Sequence, residues 1–159
     1  MTHSRRMFLG AAGAALALPA LPTALRAAAP SGPAIHVMKD PGCGCCSAWV
    51  DILRAAGFDV TEERMANGLL VRRKVELGLP QAAMSCHTAL IDGYVIEGHV
   101  PVGDILRLLE ERPDAIGLST PGMPYGSPGM GPEDEREAYD VVLIGKDGGL
   151  TRWAHYPAA

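Results

Sequence analysis

The sequence predicts an α/β domain with the core order β-α-β-α-β-β-α, followed by a Met/Gly/Pro loop and an extra β-hairpin. Three observations predict it. Short apolar runs near Ile35, Phe58, Thr88 and Tyr94 have strand character, and the stretches after Ile35, Phe58 and Tyr94 carry helical spacing. Asp92-Gly93 separates two apolar runs, a strong hairpin signal. The 159 residues, 48% hydrophobic and 20% charged, suffice for one compact domain with a real core.

Ile35-His36-Val37-Met38-Lys39 alternates as a first strand, which Asp40-Pro41-Gly42 breaks. A helix is expected from about Cys46 to Ala56, with Trp49, Val50, Leu53 and Ala56 on its apolar side and Gly57 ending it. Phe58-Asp59-Val60-Thr61-Glu62 is the second strand. Asn67 is placed to cap a second helix that runs to about Leu77, before Gly78 and Pro80. Thr88–Ile91 and Tyr94–Glu97 form the hairpin. Pro101 opens a third helix to about Glu111, with Ile105, Leu106, Leu108 and Leu109 on its buried side. From Pro113 to Pro132, glycine and proline are dense and periodicity is absent, so a long loop is expected. Glu133–Glu137 is acidic and expected to be exposed. Asp140–Ile144 and Leu150–Ala154 flank Lys146-Asp147-Gly148-Gly149 as a second hairpin.

Residues 1–29 have the composition of a targeting segment and stand outside the fold. Arg5-Arg6 precedes an apolar, alanine-rich run, which looks like a twin-arginine export signal. The run is broken by Pro19 and Pro22 and is shorter than the roughly 20 residues that span a bilayer. Cleavage near Ala27-Ala28-Ala29 would leave a periplasmic protein with no stable membrane insertion; an uncleaved anchor is the alternative. Basic residues are scattered on a chain of formal net charge −4, so no nucleic-acid footprint is present. The expected organisation is a signal at 1–29, a metal-binding domain at 34–112, and the loop and hairpin at 113–156 packed on that domain.

The chemistry concentrates at Cys43-Gly44-Cys45-Cys46, with the fourth cysteine, Cys86, forty positions later. In an oxidising compartment crowded thiols form disulfides. One disulfide plus a thiol, or a thiolate-bound metal, is the expected state. A helix N-terminus stabilises thiolates, and Cys45 and Cys46 are placed for this. Several thiolates this close repel one another unless a cation, a proton or a disulfide intervenes. Copper(I) prefers thiolate and thioether ligands, whereas zinc also takes imidazole and carboxylate. His87 adjoins Cys86 and is a ligand, a cover or an ordinary polar residue. Met123 and Met130 lie among turn residues, as soft ligands, a lid or loop packing. Met38 and Met84 read as core or near-core residues rather than ligands. His36 reads as a surface residue, and His99 and His155 as weaker candidates.

The element order resembles the thioredoxin fold. In that fold the cysteine motif lies between the first strand and first helix. It faces the loop before the hairpin, where Cys86 falls here without the proline usual at that place. A more specific resemblance follows from Lys39-Asp40-Pro41-Gly42-Cys43-Gly44-Cys45-Cys46, Ser85-Cys86-His87-Thr88, Glu97-Gly98-His99-Val100-Pro101, Gly122-Met123-Pro124 and Gly126-Ser127-Pro128-Gly129-Met130. These runs resemble the bacterial family of small exported metal-binding proteins that includes the CopG-type copper-resistance proteins, over roughly residues 34–156. The resemblance implies a thioredoxin-like fold and copper held by Cys43, Cys45, Cys46 and Cys86. It also matches Met123 and Met130 to the family's methionine loop and implies a role in periplasmic copper resistance.

The leading expectation is therefore a periplasmic copper(I)-binding protein that sequesters or transfers copper, with the ions held as a multinuclear thiolate cluster. Its partners would be copper ions and periplasmic copper-transport or copper-resistance proteins. A thiol-disulfide oxidoreductase is the first alternative, because Cys43 and Cys46 have Cys-X-X-Cys spacing; Cys45 between them invites wrong pairing. A structural zinc module is the second, and three bunched cysteines suit a single tetrahedral ion poorly.

Overall fold

The computed structural model describes residues 32–159. Seven strands form one mixed sheet in the order β2-β1-β3-β4-β5-β6-β7. The chain runs β1 (Ala34–Lys39), α1 (Gly44–Ala55), β2 (Asp59–Arg64), α2 (Asn67–Glu76), β3 (His87–Ile91), β4 (Tyr94–Glu97), α3 (Val102–Glu111), β5 (Ala115–Ser119), β6 (Tyr139–Gly145) and β7 (Leu150–Tyr156). β1 and β2 are parallel, joined by α1 as their crossover. β3 runs antiparallel to both β1 and β4. The export signal expected at 1–29 lies outside the described residues. Among the described residues no helix is long and apolar enough to cross a membrane.

Strand alternation sorts side chains to the two faces of the sheet. On one face, Ile35, Val37, Ala89, Ile91, Ile96 and Leu118 pack with Trp49, Val50 and Leu53 of α1 and Ile105 and Leu108 of α3. Each such fully buried large side chain contributes about 1.5–3 kcal/mol. On the other face, Val95 and Ile144 meet Leu79 and Ala83 from the segment after α2. α2 covers this face through Leu70 and Lys74, its only buried residues.

The turns follow their residues. Asp92 and Gly93 both adopt positive φ (47° and 86°), as a two-residue type I′ hairpin requires. Gly57 at φ 91° ends α1 as expected. Asn67 does not cap α2: Ala66 occupies the cap without a side-chain hydrogen bond, and Asn67 is the first helical residue. The third helix is entered through Pro101, and Asp104 in its first turn is buried against the Tyr156 hydroxyl, which donates to it at 2.6 Å.

The long loop expected from Pro113 requires correction. Its first part is β5, which pairs parallel to β4 and antiparallel to β6. A Cβ at Gly117 would overlap the Val95 backbone, so glycine permits the close pairing. β5 thereby carries the second hairpin, β6–β7, into the same sheet. The irregular segment is shorter, residues 120–138, and it returns across the end of the sheet where the cysteines lie.

Candidate metal centre

The cysteine turn is built by the end of β1 and the start of α1. The Cys43 amide donates to the Asp40 carbonyl at 3.1 Å and the Gly42 amide to the Asp40 carboxylate at 2.8 Å, which closes the turn. Cys43 is the N-cap of α1, and its sulfur accepts from the Cys46 amide at 3.4 Å. Beneath the turn, buried Lys39 donates to the Ser47 hydroxyl at 2.7 Å. Cys43 and Cys46 are joined as a disulfide with Cα atoms 5.4 Å apart, while Cys45 and Cys86 are free. Cys45 Sγ lies 3.5 Å from Cys43 Sγ.

Cys86 arrives from the other side, just before β3. All four sulfurs lie within 4.8 Å of one another. The late, lone thiol therefore does meet the early trio. Burial, and then the neighbouring Cys45, push the Cys86 thiol up to about 12, so as a free thiol it stays protonated at neutral pH.

Cys86 also touches two imidazoles. His87 Nδ1 lies 3.2 Å and His99 Nε2 3.0 Å from its sulfur. His99 Nδ1 donates to the Pro128 carbonyl at 2.8 Å. That bond fixes the tautomer and leaves Nε2 as an acceptor facing Cys86. Burial holds His87 well below its ordinary pKa, with His99 and Lys74 adding to the effect, and burial lowers His99 as well. Both rings are therefore neutral near pH 7 and able to ligate. His87 is fully buried, and among the described residues its Nε2 has no hydrogen-bond partner.

His99 is the residue that sequence reasoning undervalued, and the hairpin turn contained the signal. Ile91 pairs with Tyr94 and Thr88 with Glu97. Extending that register by two residues on each strand sets Cys86 opposite His99.

A buried polar layer on the opposite face of the sheet supports the Cys86 segment. Lys74, 2% exposed, is ion-paired to Glu97, which is fully buried, and donates to Thr88 Oγ1 at 2.9 Å. Glu97 accepts from the Ser85 amide at 2.6 Å and from Thr88 Oγ1 at 2.6 Å. Burial pushes the Glu97 carboxyl up against the pull of the Lys74 ammonium.

The loop at 120–138 straps this end of the molecule. The Thr120 amide donates to the Glu97 carbonyl at 3.0 Å, and Ser85 Oγ is hydrogen-bonded to the Gly122 carbonyl. Farther on, a Cβ at Gly129 would approach Trp49 N to 2.8 Å and Cys45 O to 3.0 Å, so only glycine lets the strap lie on α1. Between these anchors is Met123, 55% exposed. It lines a cleft of about 530 Å³ together with Asp40, Cys43, Met84, Ser85 and Cys86. Met130 is half-buried, follows Gly129 and is not among the residues lining that cleft. Met38 is buried core, His36 is half-buried and His155 exposed, each with a carboxylate partner, and neither histidine reaches the cysteines.

With the Cys43–Cys46 disulfide opened, the donor set fits a metal ion well: four sulfurs on one centre, two neutral imidazoles against one of them, and a thioether at the mouth. Fold and site together define a small α/β protein with a thiol-rich candidate metal centre at one edge of its sheet. Comparison with known proteins sharpens this. A family model described as protein of unknown function, DUF411, matches residues 83–130, a stretch containing Cys86, His87, His99 and both loop methionines. Two solved structures of copper resistance protein CopG, designated Form 1 and Form 2, match with 46% identity and a TM-score of 0.73. The matches cover 79–80% of this chain and 98–100% of theirs. No curated protein sequence matches. The chain belongs to the CopG-type family.

Proposed function

We propose that this protein binds copper(I) in the periplasm through Cys43, Cys45, Cys46 and Cys86, and sequesters it or passes it to a copper-resistance partner. The observation that carries this reading is the convergence of four sulfurs within 4.8 Å, each close enough to bridge ions held by its neighbours. Its relatives' designation as copper resistance proteins supports the choice of metal. Reducing the Cys43–Cys46 disulfide frees all four sulfurs, and thiolates shared between several copper(I) ions relieve their mutual repulsion. His87 borders this centre, and Met123 and Met130 serve as soft ligands or as a lid. The order β2-β1-β3-β4, with β1 parallel to β2 and the β3–β4 hairpin antiparallel to β1, supports a thioredoxin-like core. The twin-arginine run at Arg5-Arg6 supports export.

The test is copper(I) competition against a chromophoric chelator, using fully reduced protein. Wild type is expected to bind more than one equivalent, and Cys86→Ser to lose both stoichiometry and affinity. Unchanged binding in Cys86→Ser would remove the shared centre. One observation favours a second reading, a thiol-disulfide oxidoreductase. Cys43 and Cys46 form a disulfide at a helix N-terminus, the place where exchange-active pairs sit. Catalysed insulin reduction by the metal-free protein would establish that activity.

A further inference from the structure

We propose that Cys86, His87 and His99 form a one-ion site, sharing Cys86 with the four-sulfur centre, for a borderline divalent cation of the zinc, cobalt(II) or copper(II) class, and that it is complete while Cys43 and Cys46 are joined. The copper(I) reading needs all four sulfurs free. The disulfide removes two of them and leaves the Cys86 pocket intact. One ligand atom from each of Cys86, His87 and His99 lies within 4.8 Å of the others. One thiolate with two imidazoles is a donor set for borderline divalent ions, since imidazole is harder than thiolate.

The pocket is prepared for an ion before one arrives. The Pro128 carbonyl holds the His99 proton on Nδ1 and turns the bare Nε2 to Cys86. A backbone carbonyl behind a ligating histidine is the usual way to orient it. The strap supplies that carbonyl, and Gly129 locks the strap onto α1. His87 is pinned between Trp49, at 4.4 Å between ring centroids, and His99, at 4.9 Å. It presents Nδ1 to Cys86 while its Nε2 finds no partner among the described residues. The cleft beside Cys86 leaves a path for entry and room for a fourth ligand, water or the Met123 thioether. Binding moves no electrons. The cation takes the place of the Cys86 thiol proton, which leaves to solvent.

The probe is cobalt(II), which does not oxidise thiols, added to protein with its disulfide closed and two free thiols confirmed by alkylation. One equivalent is expected to bind, with a thiolate-to-cobalt charge-transfer band and ligand-field bands of a low-coordinate site. Cys86 is expected to become protected from alkylation while Cys45 is not. His99→Gln is expected to weaken binding at least about tenfold, the scale at which even an outer-shell loss acts, and the exposed control His155→Gln to leave it unchanged. If His99→Gln fails to fold, Cys86→Ser must abolish the charge-transfer band. The proposal is overturned by absence of the band, by its survival in Cys86→Ser, or by protection that maps to Cys45. A parallel copper(I) titration of the reduced wild type reports on the four-sulfur centre independently, so either reading can fail while the other stands.

Discussion

Cys43, Cys45 and Cys46 crowd one short turn, whereas Cys86 stands alone before β3 among buried histidines. The first region is made locally. Two glycines, a proline and an Asp40 turn set its geometry, and its sulfurs form an N-cap and a disulfide over three residues of sequence. The second is assembled from far apart: Ser85–His87, the end of β4, and Pro128 on the strap, held by a Lys74–Glu97 pair beneath the sheet. The first region can change its covalent state and with it the number of ligands offered. The second is fixed by burial and tertiary hydrogen bonds. A switchable set of sulfurs thus faces a rigid one.

The largest effect should come from closing the switchable half. Copper(I) affinity measured without reductant, disulfide intact, is expected to fall well over tenfold below that of the reduced protein; outer-shell losses alone cost about 10–100-fold, and here two ligands go. Equal affinity in both states would mean that the turn does not supply ligands.

The next should come from breaking the support of the rigid half. Lys74→Met strips Glu97 of its cation in a fully buried place and is expected to cost about 3–5 kcal/mol in urea unfolding. The double change Lys74→Met with Glu97→Leu should recover part of that loss. A loss under 1 kcal/mol for Lys74→Met, on the order of an exposed pair, would show that the pair is not the foundation of the Cys86 segment.

A smaller effect is the pH dependence of the metal-free protein. His87 and His99 are held below the ordinary 6.5, so below that pH the unfolded chain binds protons that the folded chain refuses. Stability should therefore fall as pH drops below about 6.5, by up to about 1.4 kcal/mol per pH unit for each histidine. Glu97, pushed up by burial, acts in the opposite direction, so the informative comparison is with His99→Gln. That variant should show a shallower loss of Tm between neutral and mildly acidic pH; an identical slope would mean His99 titrates freely. The smallest effect belongs to the strap's thioethers. Met123→Leu with Met130→Leu keeps apolar volume and removes sulfur, and roughly a threefold or smaller change in copper(I) affinity is expected, with a larger change in transfer rate.

The same contrast governs what the sequence makes legible. The cysteine turn, α1, the Asp92-Gly93 hairpin and α3 rest on local spacing and could be read directly. β5 could not, because Ala115–Ser119 is short, carries a glycine at its centre and sits in proline-rich sequence; only pairing with β4 and β6 makes it a strand. Asn67 misled because capping depends on backbone placement that composition does not set. His99 is brought to Cys86 by strand register, so its neighbour Gly98 and its own position in the chain look ordinary until the hairpin is counted back to Cys86. The polar layer of Lys74, Thr88 and Glu97 is likewise invisible in single-residue patterns, since each would ordinarily be exposed.

Copper-edge X-ray absorption on reduced, copper(I)-loaded protein addresses the convergence of sulfurs most directly. A first shell dominated by sulfur at thiolate distances is expected, with a copper–copper component that disappears in Cys86→Ser. A shell dominated by nitrogen or oxygen, or a spectrum indifferent to Cys86→Ser, would contradict it.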